Sequence, residues 1–403
     1  MAVLSDVDSN NAVLVVADVS AEHVNGGAER MLYHHIRALV QSGFDVTVLT
    51  RQPEPDAPLF ITLKDFAVSE HRLPFSGDKS YQGLQQLKQA AKIWWVQHGN
   101  NFDVVVAEQP FVMWALKQAG CYLPRLQVCH SFAFEEYQTR HALHPSLKHS
   151  LAMWSMKKLE KEVYGSARKL LVLSEFMQQR LDAFFAIQAG RSVVVAGAAD
   201  EQELVSEQMR QQLRSDLGWG SPVITTLRNL VPRTGVDLLI QAAAIVKVKR
   251  DDVRWVVMGD GLLRGSMQKM VKELGVDDVI TFTGFIPEED VQNRLAASDV
   301  FMVPTRGLEG FGLVTLEANV CGVPVLATPI AANAELVPKM KHNQLAENAS
   351  PLALAEKVLW MLEHPVDAVG RQTIREDALR QYSWQKHDAG FVSLMRDLEG
   401  LNS

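Results

Sequence analysis

The chain has 403 residues, 47% of them apolar and 22% charged, with a net charge of −7. That length calls for two domains, and the composition is ordinary for a globular protein with a sizeable core. The acidic balance argues against a nucleic-acid partner, whose phosphates demand a basic face. Cys121, Cys129 and Cys321 lack metal-ligand spacing and sit in apolar runs. Reduced buried thiols in a cytoplasmic protein are expected from them. No stretch is long and apolar enough to span a bilayer, and the start Met1-Ala-Val-Leu-Ser-Asp6 lacks the basic region of a secretory signal.

In chain order, Ala12-Val-Leu-Val-Val-Ala17 is a continuous apolar run, the pattern of a central parallel strand. Gly26-Gly27-Ala28-Glu29-Arg30 opens a helix whose core face is Leu32, Ile36, Leu39 and Val40; Gly43 closes it. A strand, 44–50, follows. This βαβ unit lacks GxGxxG after its first strand, which disfavours a dinucleotide dehydrogenase. Residues 52–80, rich in Pro, Asp and Ser, read as irregular connection with one short strand. A helix is expected over 81–98, and strands over 102–107, 126–130 and 169–174. His130 thus falls at the C-terminal end of a strand. His34, His35, His141 and His149 show no metal-type spacing and receive no role.

The helix over 146–164 mixes Leu147, Leu151, Trp154 and Leu159 with Lys148, Lys157, Lys158 and Lys161. Two readings stay open for it. A basic amphipathic helix with Trp can lie on anionic lipid, giving peripheral membrane contact. Alternatively the helix is packed and its lysines snorkel. Ser174 then caps a further helix.

The second half repeats the alternation. Strands are expected over 222–228, 253–258, 279–282, 300–304 and 323–328, with helices after Thr234-Gly235 and over 263–274, 291–297 and 352–362. Trp384 begins a terminal helix and reads as packing. Within this half stands Glu309-Gly-Phe-Gly-Leu-Val-Thr-Leu-Glu317. It follows a strand and opens a helix, so the loop lies at the carboxyl edge of a parallel sheet, where ligands bind. Gly310 and Gly312 let amides approach a ligand. The unsatisfied N–H groups of the new helix suit phosphate, and the two carboxylates suit sugar and ribose hydroxyls.

This string, with Cys321-Gly-Val-Pro-Val325 after it and Gly26-Gly-Ala-Glu-Arg30 before it, resembles the retaining GT-B glycosyltransferases of family 4, over nearly the whole chain. The resemblance implies an α/β GT-B fold, two Rossmann-like domains facing a central cleft. Residues 1–197 would form the acceptor-side domain, joined by a returning helix in 376–403, and residues 198–375 the donor domain. It implies a hexosyltransferase that takes a UDP- or GDP-type nucleotide-sugar and passes the sugar, with retention, to a sugar, lipid-linked or small-molecule acceptor. No Asp-x-Asp pair of the metal-binding kind stands at a strand end, so a metal-independent reaction without cofactor is expected, with no metal ligand.

The resemblance assigns His130 and Glu309 to the reaction centre. It assigns Gly27, Phe285, Gly310, Phe311, Gly312, Leu313 and Glu317 to the donor. One departure concerns the diphosphate grip. The family's Arg-Leu-x-x-x-Lys-Gly reads here as Asn229-Leu-Val-Pro-Arg233-Thr234-Gly235. If the strand runs through Arg228, that side chain faces away from the phosphates, leaving Arg233 as the principal cation. The departure also keeps open a catalytically silent paralogue that binds or regulates. A hydrolysing nucleotide-sugar epimerase is a further GT-B relative, disfavoured by the motif string.

Overall fold

The structure, a computed structural model, describes residues 12–22, 26–75, 81–141, 146–220 and 222–399. The expectations for residues 1–6 and for the last residues of the returning segment, 400–403, lie outside these. The described strands form two sheets. The first contains β1 (Ala12–Val16), β2 (Asp45–Arg51), β3 (Phe60–Leu63), β4 (Val68–Leu73), β5 (Val104–Ala107), β6 (Arg125–Cys129), β7 (Lys169–Val172) and β8 (Ser192–Val194). Their order is β3-β4-β2-β1-β5-β6-β7-β8, with every pair parallel except β3–β4. The second contains β9 (Val223–Leu227), β10 (Arg254–Met258), β11 (Ile280–Gly284), β12 (Val300–Val303), β13 (Val325–Ala327) and β14 (Gln344–Leu345). It is parallel throughout, in the order β11-β10-β9-β12-β13-β14.

Helices cover both faces of each sheet, which is why the central strands read as unbroken apolar runs. Val13 to Val16 are fully buried, and Val13 and Val15 face a different core from Leu14 and Val16. The strand order reverses between β1 and β5 and again between β9 and β12. In doubly wound sheets that reversal opens a crevice at the carboxyl ends of the strands. This is the two-domain, Rossmann-like GT-B architecture.

Among the described residues, 52–75 hold two strands rather than one. The sequence of β4, Val68-Ser-Glu-His-Arg-Leu73, looks too polar for a buried strand, yet Glu70 and Arg72 are both buried. They neutralise each other: Arg72 Nε donates to Glu70 Oε1 at 2.7 Å, and Thr50 Oγ1 donates to the same oxygen at 2.9 Å. Among the described residues, five α-helices escaped the sequence reading: Pro110–Gln118, Ala133–Arg140, Glu207–Asp216, Asn333–Leu336 and Ala368–Gln381. The three cysteines are free thiols, all buried.

The terminal helix Trp384–Glu399 packs on the first sheet's side of the molecule, placing Phe391, Met395 and Leu398 in one core with Leu32, Ile36 and Leu39. Trp384 is buried there and stacks on His34 with ring centroids 3.4 Å apart. The two halves also touch across the cleft: Ser174 Oγ donates to Gly310 O at 2.6 Å, and Phe176 N donates to Glu335 Oε2 at 3.2 Å.

Candidate active site

The carboxyl ends of both sheets face one cavity of about 300 Å³. From the first half it receives Gly27 and Ala28 after β1, His130 and Ser131 after β6, and Leu173 after β7. From the second it receives Arg228, Asn229, Arg233 and Thr234 after β9, and Leu308 to Val314 after β12. Of the residues named from the sequence, Gly27, His130, Arg233, Glu309, Gly310, Phe311, Gly312 and Leu313 therefore meet in one place.

Two helix N-termini open onto this cavity without a side-chain cap. One is the Gly27–Gln41 helix, whose N-cap is Gly26; the other is the Leu313–Val320 helix, whose N-cap is Gly312. Uncapped first-turn amides carry partial positive charge and await an acceptor. Gly312 adopts φ 99°, a left-handed conformation that disfavours any side chain. Gly310 is required for another reason: a Cβ there would sit 2.5 Å from the His130 carbonyl oxygen. The backbones of the two halves meet at that point, so the Gly-Phe-Gly turn fits only without a side chain. Phe311 is almost wholly buried, its ring 5.8 Å from that of Tyr382.

Glu309 is held from the opposite loop. Arg228 Nη2 donates to Glu309 Oε2 at 2.6 Å and to Thr305 Oγ1 at 3.2 Å. This corrects the expectation that Arg228 faces away. β9 ends at Leu227, so strand alternation does not extend to Arg228, and its side chain turns into the cleft. Arg233 donates through Nη1 to Leu308 O at 3.0 Å. Among the described residues it makes no ion pair with a carboxylate, so its charge faces the cavity unneutralised. Thr234 is tied to its own loop, its hydroxyl donating to the carbonyls of Asn229 and Val231.

Phe285 and Glu317 do not line the cavity. Phe285 follows β11 on the same carboxyl edge and is 65% exposed. Glu317 instead pairs with Arg30 of the first half, which also holds Glu288. Burial pushes the Glu317 carboxyl above its usual range, against the pull of the Arg30 charge. The sequence motif thus supplies one carboxylate to the cavity and one to a bridge between the halves.

Behind His130 lies a group that the sequence reading missed. Glu108, fully buried after β5, accepts from His130 Nε2 at 3.0 Å and contacts His35 Nδ1 at 2.6 Å. His35 Nε2 meets His387 Nε2 at 2.9 Å, and His387 Nδ1 reaches Ala196 O at 2.7 Å. The Glu108 carboxyl is held down at about 2: burial opposes this, but the charge of His35 and the hydrogen bonds from His130 and His35 prevail. Burial lowers His387 to about 3, and the charge of His35 adds to this. Two signals in the sequence pointed to this group. Glu108 directly follows the apolar run Val104-Val-Val-Ala107, and His35 shares the helical register of Leu32 and Leu39.

The helix Leu147–Ser166 divides along its length. Leu159, Val163 and Tyr164 are buried, whereas Leu147, Leu151 and Trp154 are exposed at 91%, 65% and 59%. These three share one helix face with the exposed Lys158 and Lys161. Among the described residues, no helix is long and apolar enough to cross a membrane, and no cluster of His, Cys, Asp or Glu could hold a metal ion.

Fold and cleft define a two-domain protein of the GT-B class. The model of the family described as Glycosyltransferase Family 4 matches residues 25–203, and that of Glycosyl transferases group 1 matches residues 205–381. The chain belongs to the group 1 GT-B glycosyltransferases. A curated relative, the GDP-mannose-dependent alpha-(1-6)-phosphatidylinositol monomannoside mannosyltransferase of Mycolicibacterium smegmatis, is 29% identical over 254 residues. That alignment covers 60% of this chain and 66% of the relative's length. Among solved structures, sucrose-phosphate synthase from Thermosynechococcus elongatus matches with a TM-score of 0.80 at 19% identity, over 97% of this chain and 100% of that one. Anabaena Alr3699/HepE in complex with UDP and glucose matches with a TM-score of 0.71 at 20% identity, over 95% and 99%.

Proposed function

We propose that this chain transfers a hexose-type sugar from a nucleoside-diphosphate sugar to an acceptor, with retention at the anomeric carbon. The observation that carries this reading is the convergence on one cavity of two uncapped helix N-termini, the unneutralised Arg233 and the Arg228–Glu309 pair. Amides and cations at that spot suit a diphosphate leaving group, whose growing charge they stabilise as the sugar departs. Glu309 and His130 lie on the same cavity and would hold the sugar hydroxyls. Attack from the face of the departing diphosphate is the proposed course; Glu136, the other carboxylate lining the cavity, accepts from Ser131 Oγ at 2.7 Å. Phe285 and Glu317 would meet base and ribose only after the halves adjust around the donor.

For the acceptor, a lipid-linked sugar at an anionic membrane surface is the reading favoured here. The outward stripe of Leu147, Leu151 and Trp154, continued by Lys158 and Lys161, has the apolar and basic character that such a surface recognises. The mycolicibacterial relative's name, with its phosphatidylinositol-linked substrate, supports it.

A second reading, a silent paralogue that binds a nucleotide-sugar without turnover, draws on the Asn229 and Thr234 positions, neither of which offers a cation. A thermal-shift screen of UDP- and GDP-sugars, followed by assay of donor hydrolysis, tests both. Stabilisation by one donor together with slow hydrolysis supports the transferase. Stabilisation without hydrolysis or transfer favours the silent protein, and no stabilisation by any donor overturns both.

A further inference from the structure

His130, Glu108, His35 and His387 form a hydrogen-bonded line that ends on the Ala196 carbonyl, and its protons can be counted from that end. A carbonyl only accepts, so His387 Nδ1 carries a hydrogen. If His387 is neutral, its Nε2 is an acceptor and His35 Nε2 must donate to it. If Glu108 is ionised, His35 Nδ1 must donate as well, and His130 Nε2 donates to the other carboxylate oxygen. Each of the four contacts needs one hydrogen, whereas a carboxylate and three neutral imidazoles bring only three. The missing proton must rest on Glu108, His387 or His35. Position selects His35: its ring touches the Glu108 carboxylate at 2.6 Å, whereas His387 touches only a ring nitrogen and a carbonyl, and the downward shifts of Glu108 and His387 agree with this.

We propose that this line holds one proton beyond those of a carboxylate and three neutral histidines, that His35 carries it, and that the resulting buried Glu108–His35 ion pair is the positioning device of the active site. Through that pair the His130 proton is kept on Nε2, and Nδ1 remains an acceptor toward the bound sugar. The cation at His35 matters because it neutralises Glu108. An unbalanced carboxylate would draw a second proton onto His130 and abolish the acceptor.

The surroundings keep the charge in place. His35 and His387 are both nearly inaccessible, Phe391 stacks on His35 at 4.1 Å, and Trp384 lies edge-on to His387 at 5.4 Å. The other charged or titratable groups nearby are already engaged: His34 with Asp200 at 3.2 Å, and Arg37 with Asp388 at 3.3 Å. The terminal helix, by supplying His387, thereby completes the support of a residue in the cleft.

The proton placement can be read independently of any substrate. In protein labelled with ¹⁵N-histidine, with rings assigned through His35→Asn and His130→Asn spectra, His35 is expected to show two protonated nitrogens at pH 8. His130 is expected to show the Nε2–H tautomer. A neutral His35 at that pH, or His130 protonated on Nδ1, overturns the proposal. The positioning role rests on the proposed transferase reading and is tested by Glu108→Gln, which keeps the volume and removes the charge. This variant should lose the His35 signature and lower the rate of donor hydrolysis about tenfold, while donor affinity stays within about twofold. Unchanged turnover overturns the positioning role. Absence of donor turnover in the wild type overturns the proposed reaction instead, while the ring spectra still decide the proton.

Discussion

Arg228 Nη2 lies 2.6 Å from Glu309 Oε2, joining the loops that follow β9 and β12 at the strand-order reversal of the second sheet. The two side chains are only 5% and 13% exposed, so this pair holds the shape of the cavity as well as its charge. Arg228→Ala leaves Glu309 largely buried without its cation and should cost about 3 kcal/mol of stability, the scale for breaking a buried pair. Arg233→Ala removes a cation with no carboxylate to strand. It should cost roughly 1.5–3 kcal/mol of nucleoside-diphosphate affinity with little change in melting temperature. Calorimetry with UDP and GDP beside thermal melts distinguishes the two, and normal affinity in Arg233→Ala would move the diphosphate elsewhere.

Glu317 presents a competition. It is bound to Arg30 across the domains, yet its place in the motif suits a ribose. If the ribose takes over this carboxylate when donor binds, Glu317→Ala should weaken donor binding by about 1–3 kcal/mol. Wild-type affinity, measured by calorimetry, would assign Glu317 wholly to the bridge between the halves.

The outward stripe on the Leu147–Ser166 helix makes a prediction that a packed helix would not. Leu151→Glu combined with Trp154→Glu should abolish co-sedimentation with vesicles containing phosphatidylglycerol or phosphatidylinositol. Melting temperature should stay nearly constant, because both side chains are exposed. Equal vesicle binding by variant and wild type would remove the membrane from the account.

The buried histidine line predicts acid sensitivity. The folded value of His387, about 3, lies below its ordinary 6.5. Its contribution is therefore complete above pH 6.5. It is lost as pH falls, because the unfolded chain takes up a proton that the folded one refuses. Glu108, held at about 2 against an ordinary 4.5, acts in the same direction at lower pH. The melting temperature should fall steadily from pH 6.5 downward, and His387→Phe should flatten the upper part of that fall. A parallel decline in both proteins would locate the acid sensitivity elsewhere.

Much of this protein is written in local patterns. Unbroken apolar runs such as Val13 to Val16 state a parallel sheet covered on both faces, since only burial on both sides tolerates them. The Gly310-Phe-Gly312 turn before a helix states an amide-lined ligand loop, because chain direction and glycine freedom are local properties. Polar burial is not local. β4 hides Glu70 and Arg72 in a strand, and no spacing shows that the two charges neutralise each other there. Arg228 enters the cleft because β9 stops one residue earlier, a boundary set by pairing with neighbouring strands. Glu317, eight residues from Glu309, pairs with Arg30, 287 positions away. His35 and His387 are separated by 352 positions and meet only because the terminal helix crosses to the first sheet. Sequence thus determined the central strands and the glycine-rich loop that lines the cavity. The tertiary structure alone decided which charges meet, because a buried charge is settled by whichever partner the packing brings within hydrogen-bond reach.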